Sequence, residues 1–197
     1  MANFEKTKAI MLRSTKYSES DLILQMLTVS GERLSLLARG ALRSKKRFGG
    51  GVLEPTHYVE ISIRRATSQE RLSILEEATL IEDFKKIRQD YDRLEIAFFI
   101  LETLSRISQE GDSLSDGLFD LAGHALRSLQ EAKDLKIFQL HFGLKILHQQ
   151  GMLEPEAWMQ IFFKTPLANH TSLPADIDPN KNLHWAWVES QLREYLN

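Results

Sequence analysis

The hydrophobic period of this chain changes once, near residue 80, from two to about 3.6, which sets a strand-built part ahead of a helical one. Ahead of the change, Thr56-His-Tyr-Val-Glu-Ile-Ser-Ile-Arg-Arg65 alternates cleanly. His57, Val59, Ile61 and Ile63 face one way, and Tyr58, Glu60, Ser62 and Arg64 the other. Arg33-Leu-Ser-Leu-Leu-Ala-Arg39 nearly alternates, with Leu34, Leu36 and Ala38 opposite Arg33, Ser35, Leu37 and Arg39. Lys8–Ser14, Leu22–Thr28 and Arg71–Leu75 are three further strand candidates. Val29-Ser-Gly-Glu32 and Ala66-Thr-Ser-Gln69 are turn signals, and Gly31 is free to take a positive φ. Five short strands in the first 75 residues fit an OB-type barrel or a small sandwich.

After Asp83 the period is helical. Tyr91 to Ile107 is apolar at 94, 97, 98, 101 and 104, with Ile96, Phe99 and Ile100 besides, which predicts a helix buried on most sides. Ser113-Leu-Ser-Asp116 resembles a capping box ahead of a helix over Leu118–Leu129. Asp134 predicts a cap for a third helix whose stripe is Ile137, Leu140, Leu144 and Leu147, stopped at Gly151. Beyond it Pro155, Pro166, Pro174 and Pro179 punctuate a weaker pattern, with a last helix over about Trp185–Tyr195. The reading is α+β: a β-barrel domain over residues 1–80 followed by a mostly helical domain over 81–197.

The chain has no cysteine, which removes disulfides, thiolate zinc sites, iron–sulfur clusters and a cysteine nucleophile. No apolar run approaches the ~20 residues that span a bilayer. Met1-Ala-Asn-Phe-Glu-Lys6 leads into no apolar segment with a cleavage site, so neither a membrane span nor a secretory signal is expected, and the cytoplasm is the expected compartment.

The net charge of −2 conceals an asymmetry. Residues 1–75 carry 13 Lys+Arg against 7 Asp+Glu, and residues 76–197 carry 12 against 20. Such a split fits a basic binding module joined to an acidic one, or chance segregation of solvated charge. The densest basic stretch is Arg39-Gly-Ala-Leu-Arg-Ser-Lys-Lys-Arg47, followed by Phe48 and three glycines. It reads as an exposed, mobile loop, poor as strand or helix. Arg39, Arg43, Lys45, Lys46 and Arg47 can track phosphates without reading bases. Lys16, Arg33, Arg64 and Arg65 are weaker candidates for the same face. Phe48 has two readings, a stacking platform for an unpaired base or a side chain tucked into the barrel.

Other chemistry finds no seat. The lysines precede Gly49-Gly-Gly51 and a strand follows, the reverse of a Walker loop. His141 and His148 lie seven apart without a third ligand in register and read as boundary or packed histidines, and His57 reads as a core histidine. Glu76-Glu77, Asp90 with Asp92, and Asp176 with Asp178 read as solvated faces or caps. No Gly-x-Ser-x-Gly or Ser-x-x-Lys is present, so no enzyme, no cofactor and no small-molecule substrate are expected. Trp158, Phe162, Phe163, Trp185 and Trp187 read as helical core, or as a partner patch if exposed.

Lys16-Tyr-Ser-Glu-Ser-Asp21, Gly31, Arg39-Gly-Ala-Leu-Arg-Ser44, Arg47-Phe-Gly-Gly50 and Leu53-Glu-Pro55 together resemble, in order and spacing over about residues 6–80, the N-terminal domain of the RecO family of bacterial recombination mediators. The resemblance implies an OB-fold domain before a helical one. It also implies binding of single- and double-stranded DNA, annealing of complementary strands, and work with RecR to load RecA on strands coated by single-strand-binding protein. The protein would then be cytoplasmic, at the nucleoid during repair. DNA contacts are expected from Arg39, Arg43, Lys45, Lys46, Arg47 and Lys16. Many members of the family carry a four-cysteine zinc site in the second domain, which this chain cannot build, and the chain looks short at its C-terminal end. Arg127, Lys133 and Lys136 are candidate rim residues for the acidic C-terminal tail of single-strand-binding protein. The alternative reading is a protein-interaction scaffold with an OB-type barrel and no direct DNA role.

Overall fold

The computed structural model describes residues 4–66, 68, 71–108, 110, 117–173 and 181–196. Five strands, β1 (Phe4–Lys16), β2 (Leu22–Thr28), β3 (Arg33–Ala38), β4 (Tyr58–Arg64) and β5 (Ser73–Glu82), close into a barrel in the order β1-β2-β3-β5-β4. β3 and β5 pair in parallel over Leu36↔Ser73 and Leu37↔Ile74, and the other neighbours are antiparallel. Of the two β architectures compatible with the sequence, the OB-like barrel is the one formed. The parity read from β3 and β4 holds. Leu34, Leu36, Val59, Ile61 and Ile63 point into the barrel with Met11, Leu24, Met26 and Leu75. Each such side chain is worth about 1.5–3 kcal/mol on burial.

Two strands are longer than the sequence predicts. β1 pairs with β4 from Phe4↔Arg64 to Ile10↔Tyr58, then with β2 from Ala9↔Thr28 to Lys16↔Leu22. A bulge between Met11 and Arg13 lets it turn from one neighbour to the other. Its flanks are held by backbone pairing rather than by burial, so only the apolar middle is visible in the sequence. β5 runs on to Glu82 by pairing with β4 as far as Tyr58↔Glu82, and a register shift opposite Ser62 and Ile63 places Leu75 and Ala78, three apart, on the inner face. That spacing breaks the period of two.

Residues 1–84 with 101–123 make one compact unit, and residues 85–100 with 124–197 another. The helices are α1 (Lys85–Arg88), α2 (Tyr91–Ile107), α3 (Leu118–Leu129), α4 (Leu135–Gln149), α5 (Gln160–Lys164) and α6 (Lys181–Leu196). α2 is not buried on most sides as expected. Ile96, Ala97, Ile100, Leu101 and Leu104 are buried, but Tyr91, Asp92, Glu95, Phe98, Glu102 and Arg106 form an exposed stripe. The exposed Phe98 is what makes the sequence look apolar all round. The Ser113–Asp116 capping box, Pro174, Pro179, Asp176 and Asp178 lie outside the described residues, as do Thr67 and Gln69 of the turn.

In the second unit Asp134 caps α4, accepting from the Lys136 and Ile137 amides at 3.1 and 3.0 Å. Gly151 ends that helix at φ +68. α4 is buried beyond its predicted stripe, Phe138, His141, Phe142, Gly143 and Ile146 included. α6 approaches it at Gly143, where a Cβ would lie 2.5 Å from Val188 Cγ1. The weak pattern after Gly151 resolves into short turns around α5, with Met159, Phe162, Leu167 and His170 buried. Trp185 packs edge-on to Phe99, whereas Trp187 is partly exposed. Among the described residues no helix is long and apolar enough to cross a membrane.

Candidate nucleic-acid interface

Strand register sorts the nine basic candidates into two groups. Lys16 pairs with Leu22, and Leu22 with Ala38, so Lys16, Arg39 and the segment after Arg39 lie at one end of the barrel strands. Arg33 opens β3 opposite Leu27, and Arg64 faces Phe4, at the other end.

At the first end the segment 40–51 is a succession of turns rather than a loose loop. Gly40 takes φ +62, and the amides of Arg43 and Ser44 donate back to its carbonyl at 3.1 and 3.0 Å. The Gly40 amide donates to Asp21 Oδ1 at 2.7 Å and the Leu42 amide to the Ser20 carbonyl at 3.0 Å, tying the segment to the β1–β2 turn. The Gly40 amide, with hydroxyls of Ser18 and Ser20 and the charge of Arg39, holds the Asp21 carboxyl below its usual range. Downstream, the Ala78 amide of β5 donates to the Arg47 carbonyl at 3.3 Å, so the segment continues along β5 after β3 has ended.

Phe48 is buried, 5% exposed, among the barrel side chains, with the Arg47 guanidinium 5.0 Å from its ring centroid. This favours the tucked reading: Phe48 is no exposed stacking platform, although part of it still faces the neighbouring hollow. Arg47 also donates to the Arg39 carbonyl at 2.7 Å. Arg43 pairs with Glu19 at 3.3 Å, but both side chains are exposed, and such pairs are worth little. Lys16, Arg39, Lys45 and Lys46 are exposed and have no ion pair among the described residues. Tyr17, 65% exposed beside Lys16, is an aromatic of this end that sequence reasoning missed. An aromatic next to a lysine in a Ser-rich turn was the available signal.

At the other end the three candidate cations are engaged. Arg64 Nε donates to Glu76 at 2.7 Å. Arg65 bridges Glu5 at 2.7 Å and Glu32 at 3.1 Å, which holds its guanidinium charged more firmly than usual. Arg33 donates to the Ser105 carbonyl.

The remaining candidates divide between buried histidines and exposed positions. His57 is buried, with Nδ1 3.1 Å from the Val52 carbonyl. His141 Nε2 lies 2.9 and 3.0 Å from the Phe162 and Thr165 carbonyls, and His148 stacks on Phe163. Arg127, Lys133 and Lys136 are exposed on α3, before α4 and on α4. The zinc site of the resembled family does not fit this chain, which has no cysteine, and no three His, Asp or Glu side chains gather for a metal among the described residues.

Comparison with known proteins places the chain among relatives. The family profile for the N-terminal part of recombination protein O matches residues 1–84, and that for its C-terminal part matches residues 88–153. The DNA repair protein RecO of Syntrophobacter fumaroxidans is 36% identical over 148 residues, which is 75% of this chain and 57% of that protein. The protein of the same name from Desulfosudis oleivorans is 35% identical over 139 residues, 68% of this chain and 53% of that protein. That from Bacillus pumilus is 30% identical over 151 residues, 77% and 57%. The chain thus spans a little over half the length of these curated relatives.

Proposed function

This chain belongs to the recombination protein O family, and we propose that it works as a DNA repair and recombination mediator with no enzymatic step of its own. In this reading residues 1–80 are the DNA-binding domain and residues 81–197 a helical partner domain. The observation that carries it is the gathering of Lys16, Arg39, Arg43, Lys45, Lys46 and Arg47 at one barrel end on turns fixed by hydrogen bonds. Cations held there neutralise phosphates of single- and double-stranded DNA without reading sequence. Neutralising two strands at once lowers their mutual repulsion, which lets complementary strands anneal. Arg33, Arg64 and Arg65, already engaged by carboxylates or a carbonyl, take a smaller share. The family reading extends the proposal to RecR, to the acidic tail of single-strand-binding protein near Arg127, Lys133 and Lys136, and to loading of RecA in the bacterial cytoplasm at the nucleoid.

Binding of labelled single-stranded and duplex DNA at several salt concentrations tests the reading. With four to six phosphates neutralised, log K falls against log salt with a slope of roughly −3 to −5. Replacing Arg43, Lys45, Lys46 and Arg47 with Ala is expected to collapse affinity and flatten the slope, whereas replacing Arg64 and Arg65 changes the slope by less than about one unit. Binding that ignores salt overturns the proposal. A fourfold variant that loses no DNA affinity points instead to a protein-interaction scaffold.

A further inference from the structure

Beside the basic turns lies an open hollow of about 460 Å³, a size within the usual range of small-ligand sites. Its apolar walls are Leu22, Ala41, Phe48 and Leu53, all buried in the barrel end. Arg43 and Lys45 line it as well, on the segment whose other cations are Arg39, Lys46 and Arg47. Glu54 also lines it. The hollow therefore suits a flat, neutral group carried on an anionic chain: apolar walls for the group, cations for what flanks it.

We propose that this hollow takes a single unpaired nucleobase, with the neighbouring phosphates on Arg43 and Lys45. The inference rests on the DNA-binding reading above and adds to it a preference for single strands. A base in a duplex has its faces stacked and its edge paired, and entering a pocket then costs unstacking and unpairing, which a single strand avoids.

Gly49 supplies the means to test it. It lines the hollow, its backbone lies outside the left-handed region, and a Cβ placed on it meets nothing within 4 Å. Gly49→Leu thus adds an apolar side chain to the lining of the hollow without altering a charge. The experiment measures, at one salt concentration, the affinity of the full chain for three probes: an oligo-dC strand, the same strand with abasic sites, and a duplex. Phosphate contacts are identical in the first two. The expected result is that the abasic strand binds about tenfold more weakly than the intact one. Gly49→Leu is expected to lower the intact strand to the abasic level while leaving the abasic strand and the duplex unchanged. Equal binding of intact and abasic strands overturns the inference and leaves the phosphate reading standing. So does a folded Gly49→Leu variant with undiminished affinity for the intact strand. Should that variant fail to fold, the abasic comparison on the unaltered protein decides alone. Absence of binding to every probe at low salt overturns both the inference and the reading it rests on.

Discussion

His141 makes the second compact unit sensitive to mild acid. Its side chain is fully buried, and Nε2 donates to the Phe162 and Thr165 carbonyls, so the imidazole is held as the neutral tautomer with its proton on Nε2. Nδ1 is buried with no hydrogen-bond partner among the described residues. A second proton there would be a charge without an acceptor. Burial, helped by the nearby Lys145 charge, lowers the pKa from 6.5 to about 4. The unfolded chain therefore binds a proton near pH 6.5 that the folded chain refuses until about pH 4. Between those values the unfolded state holds more protons, so stability falls as pH falls. One proton refused over one pH unit costs about 1.36 kcal/mol, so the loss amounts to about 2 kcal/mol at pH 5 and about 3 kcal/mol by pH 4. His170, also lowered mainly by burial, acts in the same direction.

Urea denaturation at pH 7 and pH 5, at constant ionic strength, reads this directly. All three tryptophans, Trp158, Trp185 and Trp187, belong to the second unit, so their fluorescence follows its unfolding alone. His141→Gln retains an N–H donor and removes the titration. Carboxylates and His170 contribute alike to both proteins, so the difference of differences isolates His141. The wild type is expected to lose about 2 kcal/mol more than His141→Gln between pH 7 and pH 5. An identical loss in the two proteins refutes the argument, as does an imidazole NMR titration for His141 centred near pH 6.5.

Two further outcomes follow from side chains that join distant segments. Arg93 on α2 pairs with Asp90 and donates to the Leu129 carbonyl and, at 2.9 Å, to the Ala132 carbonyl, satisfying acceptors at the C-terminal end of α3. Arg93→Ala is expected to destabilise the second unit by about 2–3 kcal/mol in the same fluorescence assay, and a change below about 0.5 kcal/mol contradicts the capping role. Asp21→Ala removes a negative charge from beside the basic turns, yet frees the Gly40 amide that the carboxylate holds. A several-fold loss of DNA affinity in a fluorescence-anisotropy titration is expected if loop geometry outweighs net charge, and a gain refutes that ordering.

Much of the barrel is legible because β3 and β4 obey a single rule, alternation against one buried face. Where the rule fails it fails at bulges. Leu75 and Ala78 face inward together only because the register shifts opposite Ser62 and Ile63, and nothing local marks that shift. The helical caps at Asp134 and Gly151 are legible because they are local chemistry. The state of the basic residues is not. Arg65 finds Glu5 sixty positions away and Glu32 thirty-three away, and Arg64 finds Glu76 across β5. Those partners are set by strand register, which the sequence does not spell out. For the same reason the segment after Arg39 looks loose in the sequence. Its ties to Ser20, Asp21 and Ala78 are long-range.

Net charge is consequently a poor measure of what this chain offers a polyanion. A cation already paired at 2.7 Å gives up one carboxylate to gain one phosphate, so little is won and few counterions are released. An unpaired, exposed lysine exchanges only its own hydration and condensed ions. By that criterion Lys16, Arg39, Lys45 and Lys46 are available at one barrel end and Lys6, Lys8 and Arg13 along β1, while Arg64 and Arg65 are held by carboxylates at the opposite end. At physiological salt charge is screened over about 8 Å, so only charges within that reach of a bound strand act on it. The sign a DNA strand meets is therefore set by which cations the strand register leaves without carboxylates, and not by the total of −2.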